Sequence, residues 1–208
     1  RDGQYNAALA QYENCRQVLA EELGVEPAAE TRRLQQRLAA AKRRGPSQLP
    51  HPTTPFVGRE AELAQLSQQL DQPGCRLLTL VGPGGAGKTR LALQTAVLRQ
   101  HDYLHGASFA PLSVVESTAA IPLAIANSLH LTFHGQDDAE TQLLRALAEQ
   151  EQLLILDNIE HLLPEAAKFV ARLLRAAPDI TLLVTSRERL RLPAEHSFVL
   201  AGMLQTEE

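Results

Sequence analysis

The chain has little cysteine, no long apolar run and almost no charge imbalance, and each shortage removes a class of explanation. Its two cysteines, Cys15 and Cys75, lie far apart without metal-type spacing, so neither a disulfide framework nor a zinc module is expected. No stretch reaches the roughly eighteen apolar residues a membrane helix requires. The first segment is amphipathic rather than uniformly apolar, so no secretory signal is expected in it and the expected location is the cytoplasm. A formal net charge of −4 gives no sign of a strongly basic nucleic-acid surface. What remains is 208 residues, 44% hydrophobic and 21% charged, enough for one ordinary globular domain and a piece of another. Arg1 runs straight into a helical pattern and the end is as abrupt, which reads as an excised part of a longer protein.

One stretch carries chemistry. Gly82-Pro83-Gly84-Gly85-Ala86-Gly87-Lys88-Thr89 fits G-x-x-x-x-G-K-[ST], after the apolar run Leu77-Leu78-Thr79-Leu80-Val81 and before Leu91-Ala92-Leu93. Glycines at 82, 84, 85 and 87 are expected to take positive φ and approach a polyanion without a Cβ in the way. Successive N–H groups then form an anion nest at the start of a helix. Lys88 is expected on the β- and γ-phosphates and the Thr89 hydroxyl on Mg²⁺; Arg90 completes the expected cofactor-binding run of residues 82–90. A plain glycine-rich turn is the rival reading, but the fixed positions arise by chance in about one chain in a hundred of this length.

Along the chain, Tyr5, Ala8, Leu9, Tyr12, Cys15 and Leu19 predict a helix over 4–23, with Gly24 as its stop. Pro27 is expected near the first turn of a second helix carrying Thr31, Leu34, Leu38 and Ala41. This hairpin is too small to bury a core alone. Residues 45–55, with four prolines at 46, 50, 52 and 55, read as a linker. The preceding Lys42-Arg43-Arg44 is either a solvated helix end or a DNA contact. From 56 onward, strands are expected at 76–81, 107–112, 152–157, 180–185 and 197–200, alternating with helices after 60 and 88, at 118–129, 138–149 and 165–176. Alternation of this kind predicts an α/β three-layer sandwich around a parallel sheet. The expected domains are 1–44, the linker 45–55, and 56–208.

Ligands bind beyond the carboxyl ends of parallel strands. Asp157 closes Leu153-Leu154-Ile155-Leu156 as a Walker B aspartate does, opposite Thr89 on Mg²⁺; a helix N-cap is its other use. Asn158 follows where a water-activating acid often stands, and it is a poor general base; Glu160 is the substitute carboxylate. Arg187, in Thr185-Ser186-Arg187, offers a rigid fork for phosphate oxygens, with Arg189 and Arg191 as competitors. Histidines 101 and 105, and 130 and 134, share i,i+4 spacing but lack the H-E-x-x-H glutamate, and read as surface residues.

Several of these stretches resemble known families. Tyr12-Glu13-x-Cys15-Arg16, then Leu19-Ala20-Glu21-Glu22-Leu23-Gly24-Val25-Glu26-Pro27 and Glu30-Thr31, is similar to the end of the bacterial transcriptional activator domain, a tetratricopeptide-like module of antibiotic-regulatory-type transcription factors. Phe56-Val57-Gly58-Arg59-Glu60 resembles the hhGRE opening of signal-transducing ATPases with numerous domains, the group containing NB-ARC proteins; the resemblance implies that Phe56 and Val57 lie against adenine, with Gly58 and Arg59 beside them. Asp157-Asn158-Ile159-Glu160-His161 and Thr185-Ser186-Arg187 are similar to the D-N-x-E-H and T-[ST]-R stretches of that group, which implies a P-loop NTPase fold and an Arg187 that faces the γ-phosphate. The implied function is an ATP/ADP and Mg²⁺ switch with slow hydrolysis in a bacterial regulator. DNA would be contacted through a domain outside this chain, and nucleotide-dependent self-association is possible in such a switch. The rivals are an actively hydrolysing ATPase remodeller and a scaffold with a vestigial site.

Overall fold

The apolar runs become five parallel strands in the computed structural model, which describes residues 2–43, 49–50 and 54–201. They are β1 (Leu77–Val81), β2 (Ala107–Pro111), β3 (Gln152–Asp157), β4 (Ile180–Ser186) and β5 (His196–Val199), in the order β2-β3-β4-β1-β5. Interior β3 is buried along its whole length, as an unbroken Leu/Ile run with helices on both faces should be. Alternation along the strands separates two cores. Leu154, Leu156, Leu182 and Val184 face α5 (Ile121–Ser128), α6 (Ala139–Ala148) and α7 (Glu165–Ala176), which contribute Ile125, Leu143, Leu147, Phe169 and Leu173. Leu78, Leu80, Leu153, Ile155 and Leu183 face α3 (Glu60–Leu70) and α4 (Lys88–Arg99), which contribute Leu66, Leu70, Leu91 and Ala96. Full burial of each such side chain is worth roughly 1.5–3 kcal/mol before entropy is charged against it. The expected helix over 118–129 divides into a 3-10 turn (Thr118–Ala120) and α5, because Pro122 is favoured in a helix's first turn and not within it.

The first helix, α1 (Asp2–Val18), loosens into a π-turn (Leu19–Leu23) and stops where Gly24 takes φ +65°, its N–H returning to Ala20 and Leu19. The next helix, α2 (Ala29–Arg43), begins two residues after buried Pro27, so the proline precedes the helix instead of opening its first turn. Val18, Leu23, Val25 and Leu34 stay exposed on this hairpin, consistent with a pair too small to enclose a core.

The linker expectation needs correcting at one point. Residues 45–48 and 51–53, like Arg44 and the last residues 202–208, lie outside the described residues. Leu49, however, is 2% exposed, packed in the α3/α4 core. The hydrophobic effect recruits a single apolar side chain from a proline-rich stretch whenever a core has room for it.

Candidate functional site

The strand β1 ends against two neighbours, and this sets the start of the phosphate loop. Gly82 N–H donates to the Ser186 carbonyl (3.2 Å) at the end of β4, while Leu200 N–H donates to Val81 (2.7 Å) just past β5. A Cβ on Gly82 would stand 2.6 Å from the Leu200 carbonyl oxygen. Gly82 is therefore glycine because backbone passes against it, not because of a positive φ. Only Gly85 (φ +76°) and Gly87 (φ +84°) of the four loop glycines are left-handed, and beside both the space a Cβ would take is open. Gly82→Ala is expected to cost about 1–3 kcal/mol, the usual penalty for overpacking. Urea unfolding measures it, and an unchanged midpoint would contradict the clash.

The loop presents donors. Among the described residues, Gly84, Gly85 and Gly87 donate to no backbone carbonyl, whereas Ala86 donates to Pro83 (3.3 Å). The first-turn N–H groups of α4, from Lys88 and Thr89, have no intrahelical partner by construction, and the helix adds a partial positive charge there. Lys88 folds back so that Nζ donates to the carbonyls of Gly82 (2.8 Å) and Pro83 (3.0 Å). Open glycine positions, unpaired amides and a local ammonium suit a phosphate chain.

Across from the loop, the ends of β3 and β4 converge on one carboxylate. Asp157, 9% exposed, accepts at Oδ1 from the Thr89 hydroxyl (2.7 Å) and from the Thr185 hydroxyl (2.6 Å). Asp157 thus caps no helix: the following 3-10 turn (Glu160–Leu162) starts beyond it without a side-chain cap. Both hydroxyls use one oxygen, so Oδ2 remains free of them for a divalent cation. Thr185 Oγ1 also accepts from the Asn158 N–H (2.9 Å), and Asn158 sits at φ +64°. Asparagine is one of the few non-glycine residues that tolerate this region, so backbone shape favours it here.

Arg187 and Glu160 complete the rim. Arg187 Nε pairs with Glu160 Oε1 at 3.1 Å, and Arg187 Nη2 lies 3.6 Å from where a Gly84 Cβ would be. Lys88, Thr89, Asp157, Asn158, Glu160 and Arg187 are thereby gathered at the carboxyl end of the sheet. Arg191, at φ +60°, instead belongs to a turn in which Glu195 accepts from the N–H groups of Leu190 and Arg191.

Five expected residues, Arg90 and those at 56–59, lie outside this group of contacts. Arg90 donates to the carbonyls of Thr54 (2.8 Å) and Pro55, so its guanidinium holds the approach to α3 and not the loop. Val57 is 86% exposed, while Phe56 packs partly against the α3/α4 core. Gly58 and Arg59 are both left-handed, and Arg59 reaches Glu62 (3.4 Å) and the Ala201 carbonyl (3.3 Å), tying this segment to the β5 edge. Sequence reading assigned no role to Thr185; a hydroxyl closing an apolar strand two residues before Arg187 was the available signal. Among the described residues no three metal-type ligands cluster, and His105 Nδ1 accepts from the Glu151 N–H (3.0 Å). Cys75 is buried, and burial pushes its thiol up, which leaves it unreactive.

Comparison with known proteins places this geometry. The profile described as AAA ATPase domain matches residues 55–185, which contain the loop, Asp157 and Thr185. The chain belongs to the AAA ATPase domain family. Ahead of that domain, residues 1–39 match the bacterial transcriptional activator domain. An uncharacterized protein of Mycobacterium tuberculosis is 37% identical over 142 residues, covering 68% of this chain and 36% of its own length. Regulatory protein AfsR of Streptomyces griseus is 30% identical over 215 residues, covering 91% of this chain and 22% of its own length. The chain thus spans about a third or less of these relatives. Among solved structures, Cdc6p from Pyrobaculum aerophilum (TM-score 0.54, 23% identity, 74% of this chain, 46% of that one) shares the fold of the AAA ATPase domain. So does a signal transduction ATPase with a tetratricopeptide repeat sensor from Pyrococcus horikoshii (TM-score 0.50, 16% identity, 74% of this chain, 24% of that one). No described helix is long and apolar enough to cross a membrane.

Proposed function

We propose that this chain is the nucleotide switch of a bacterial transcriptional regulator, of the NB-ARC-like signal-transducing kind, that binds ATP and ADP with Mg²⁺ and hydrolyses ATP slowly. The observation that carries the reading is the convergence on one loop of Lys88, the Thr89–Asp157–Thr185 node and Arg187. The amides of residues 84–89 and Lys88 would hold the phosphates, and Thr89 with Asp157 Oδ2 would hold the metal. A bound Mg²⁺ supplies charge neutralisation to the phosphate oxygens. Arg187 provides the fork that reads the terminal phosphate. Phe56–Arg59 would flank the base, and Arg90 would fix that flank through Thr54 and Pro55.

Slow turnover follows from what stands beside the loop. Asn158 has no basic carboxylate, and the Glu160 carboxylate is already paired with Arg187. A switch needs two packings that the terminal phosphate distinguishes by differential contacts. In the regulator those packings would involve the activator-domain hairpin, parts outside this chain that contact DNA, and self-association in one nucleotide state. Phosphate release by the full-length regulator is expected well below about one turnover per second, the low end for ordinary enzymes. Faster turnover would favour a hydrolysing remodeller instead.

A further inference from the structure

The pairing of Glu160 with Arg187 has a use beyond slowing hydrolysis. Arg187 is a long side chain, 68% exposed, and left to itself it would sample many rotamers. Glu160 is the opposite: its side chain is 14% exposed and fixed in the 3-10 turn that follows β3. Oε1 takes the Arg187 Nε, while Oε2 is buried without a hydrogen-bond partner. A carboxylate in that condition depends on its one cation, since removing the partner would leave a buried charge uncompensated. The two side chains approach each other at the Nε end of the guanidinium. Nη2 is left directed at the phosphate loop, 3.6 Å from the Cβ position of Gly84. Arg187 is thus held at one end and offered at the other.

We infer that Glu160 is a positioning residue that sets the preference of this site for nucleoside triphosphate over diphosphate, by holding Arg187 poised across the loop. This rests on the nucleotide-switch reading and adds to it the residue that orders the sensor. The ordering entropy of the arginine is met in advance by Glu160, so a terminal phosphate meets a prearranged donor. A diphosphate, which ends short of that donor, gains nothing from the arrangement. Glu160 is therefore expected to act on one ligand and not on the other.

The test is calorimetric titration of the whole chain with Mg·ADP and with a non-hydrolysable Mg·ATP analogue. Glu160→Ala is expected to lower the triphosphate-to-diphosphate affinity ratio about two- to fivefold, the range for ion pairs with one exposed member. ADP affinity and the unfolding midpoint should change little, because the variant removes an ion pair to an exposed arginine, which adds little to stability, together with a buried oxygen that has no partner. Glu160→Gln keeps an acceptor at the same reach and should recover most of the ratio. Arg187→Ala should lower the ratio at least as far, and adding Glu160→Ala to it should change nothing more. A ratio that rises in Glu160→Ala would make the pair a competitor for Arg187 and overturn the inference. So would a ratio that stays constant, or one that falls equally with and without Arg187; in each case nucleotide binding itself survives, and so does the switch reading. Absence of binding by the unaltered chain would remove both.

Discussion

Lys88→Ala should weaken binding of ATP and ADP alike by up to about 100-fold. The ammonium already sits in the loop's curve, shared between the carbonyls of Gly82 and Pro83, so a polyanion arriving there meets it at once. A charge-assisted hydrogen bond of this kind is worth up to about 3 kcal/mol, and each 1.4 kcal/mol is about tenfold in affinity. Stability should hardly move, since Lys88 is only half-buried and the two carbonyls it leaves can turn to water. Calorimetry beside a thermal melt separates the two effects. Affinity like that of the unaltered chain would end the phosphate-loop reading.

Asp157 predicts a different pattern, because one carboxylate serves both fold and site. Asp157→Ala removes the acceptor for two hydroxyls, and Thr185, 1% exposed, has little access to water as a substitute. A buried donor left unsatisfied costs about 1–3 kcal/mol. The same change should erase the gain in nucleotide affinity that Mg²⁺ confers. Asp157→Asn keeps a carbonyl oxygen for the hydroxyls but not the charge, so it should recover stability without recovering the Mg²⁺ effect. If both variants keep the Mg²⁺ increment, the metal assignment fails; if Asp157→Ala keeps its unfolding midpoint, the structural half fails.

Much of this architecture was legible before any coordinates, for a physical reason in each case. The Leu153–Leu156 run could only be a strand covered on both faces, and Gly87-Lys88-Thr89, after the Leu77–Val81 run, could only open a helix. The order of strands and helices followed, and the AAA ATPase family match with the parallel sheet agrees with it. The unread parts share a cause: they depend on contacts between residues remote in sequence. Gly82 looked like a phosphate-loop glycine, whereas Leu200, more than a hundred residues on, is what excludes a side chain there. Arg90 looked like a continuation of the loop, yet its partners are carbonyls upstream of α3. Asn158 read as a poor base, and the left-handed backbone that favours asparagine was invisible in the letters.

Leu49 carries one more consequence. The family match begins at residue 55, and a piece cut there would seem to be the whole ATPase unit. Yet the α3/α4 layer would then lack one of its own apolar plugs, leaving a leucine-sized hole in that core. The foldable segment therefore starts upstream of its recognisable sequence, and scissors placed at the textual border would wound the body they meant to isolate.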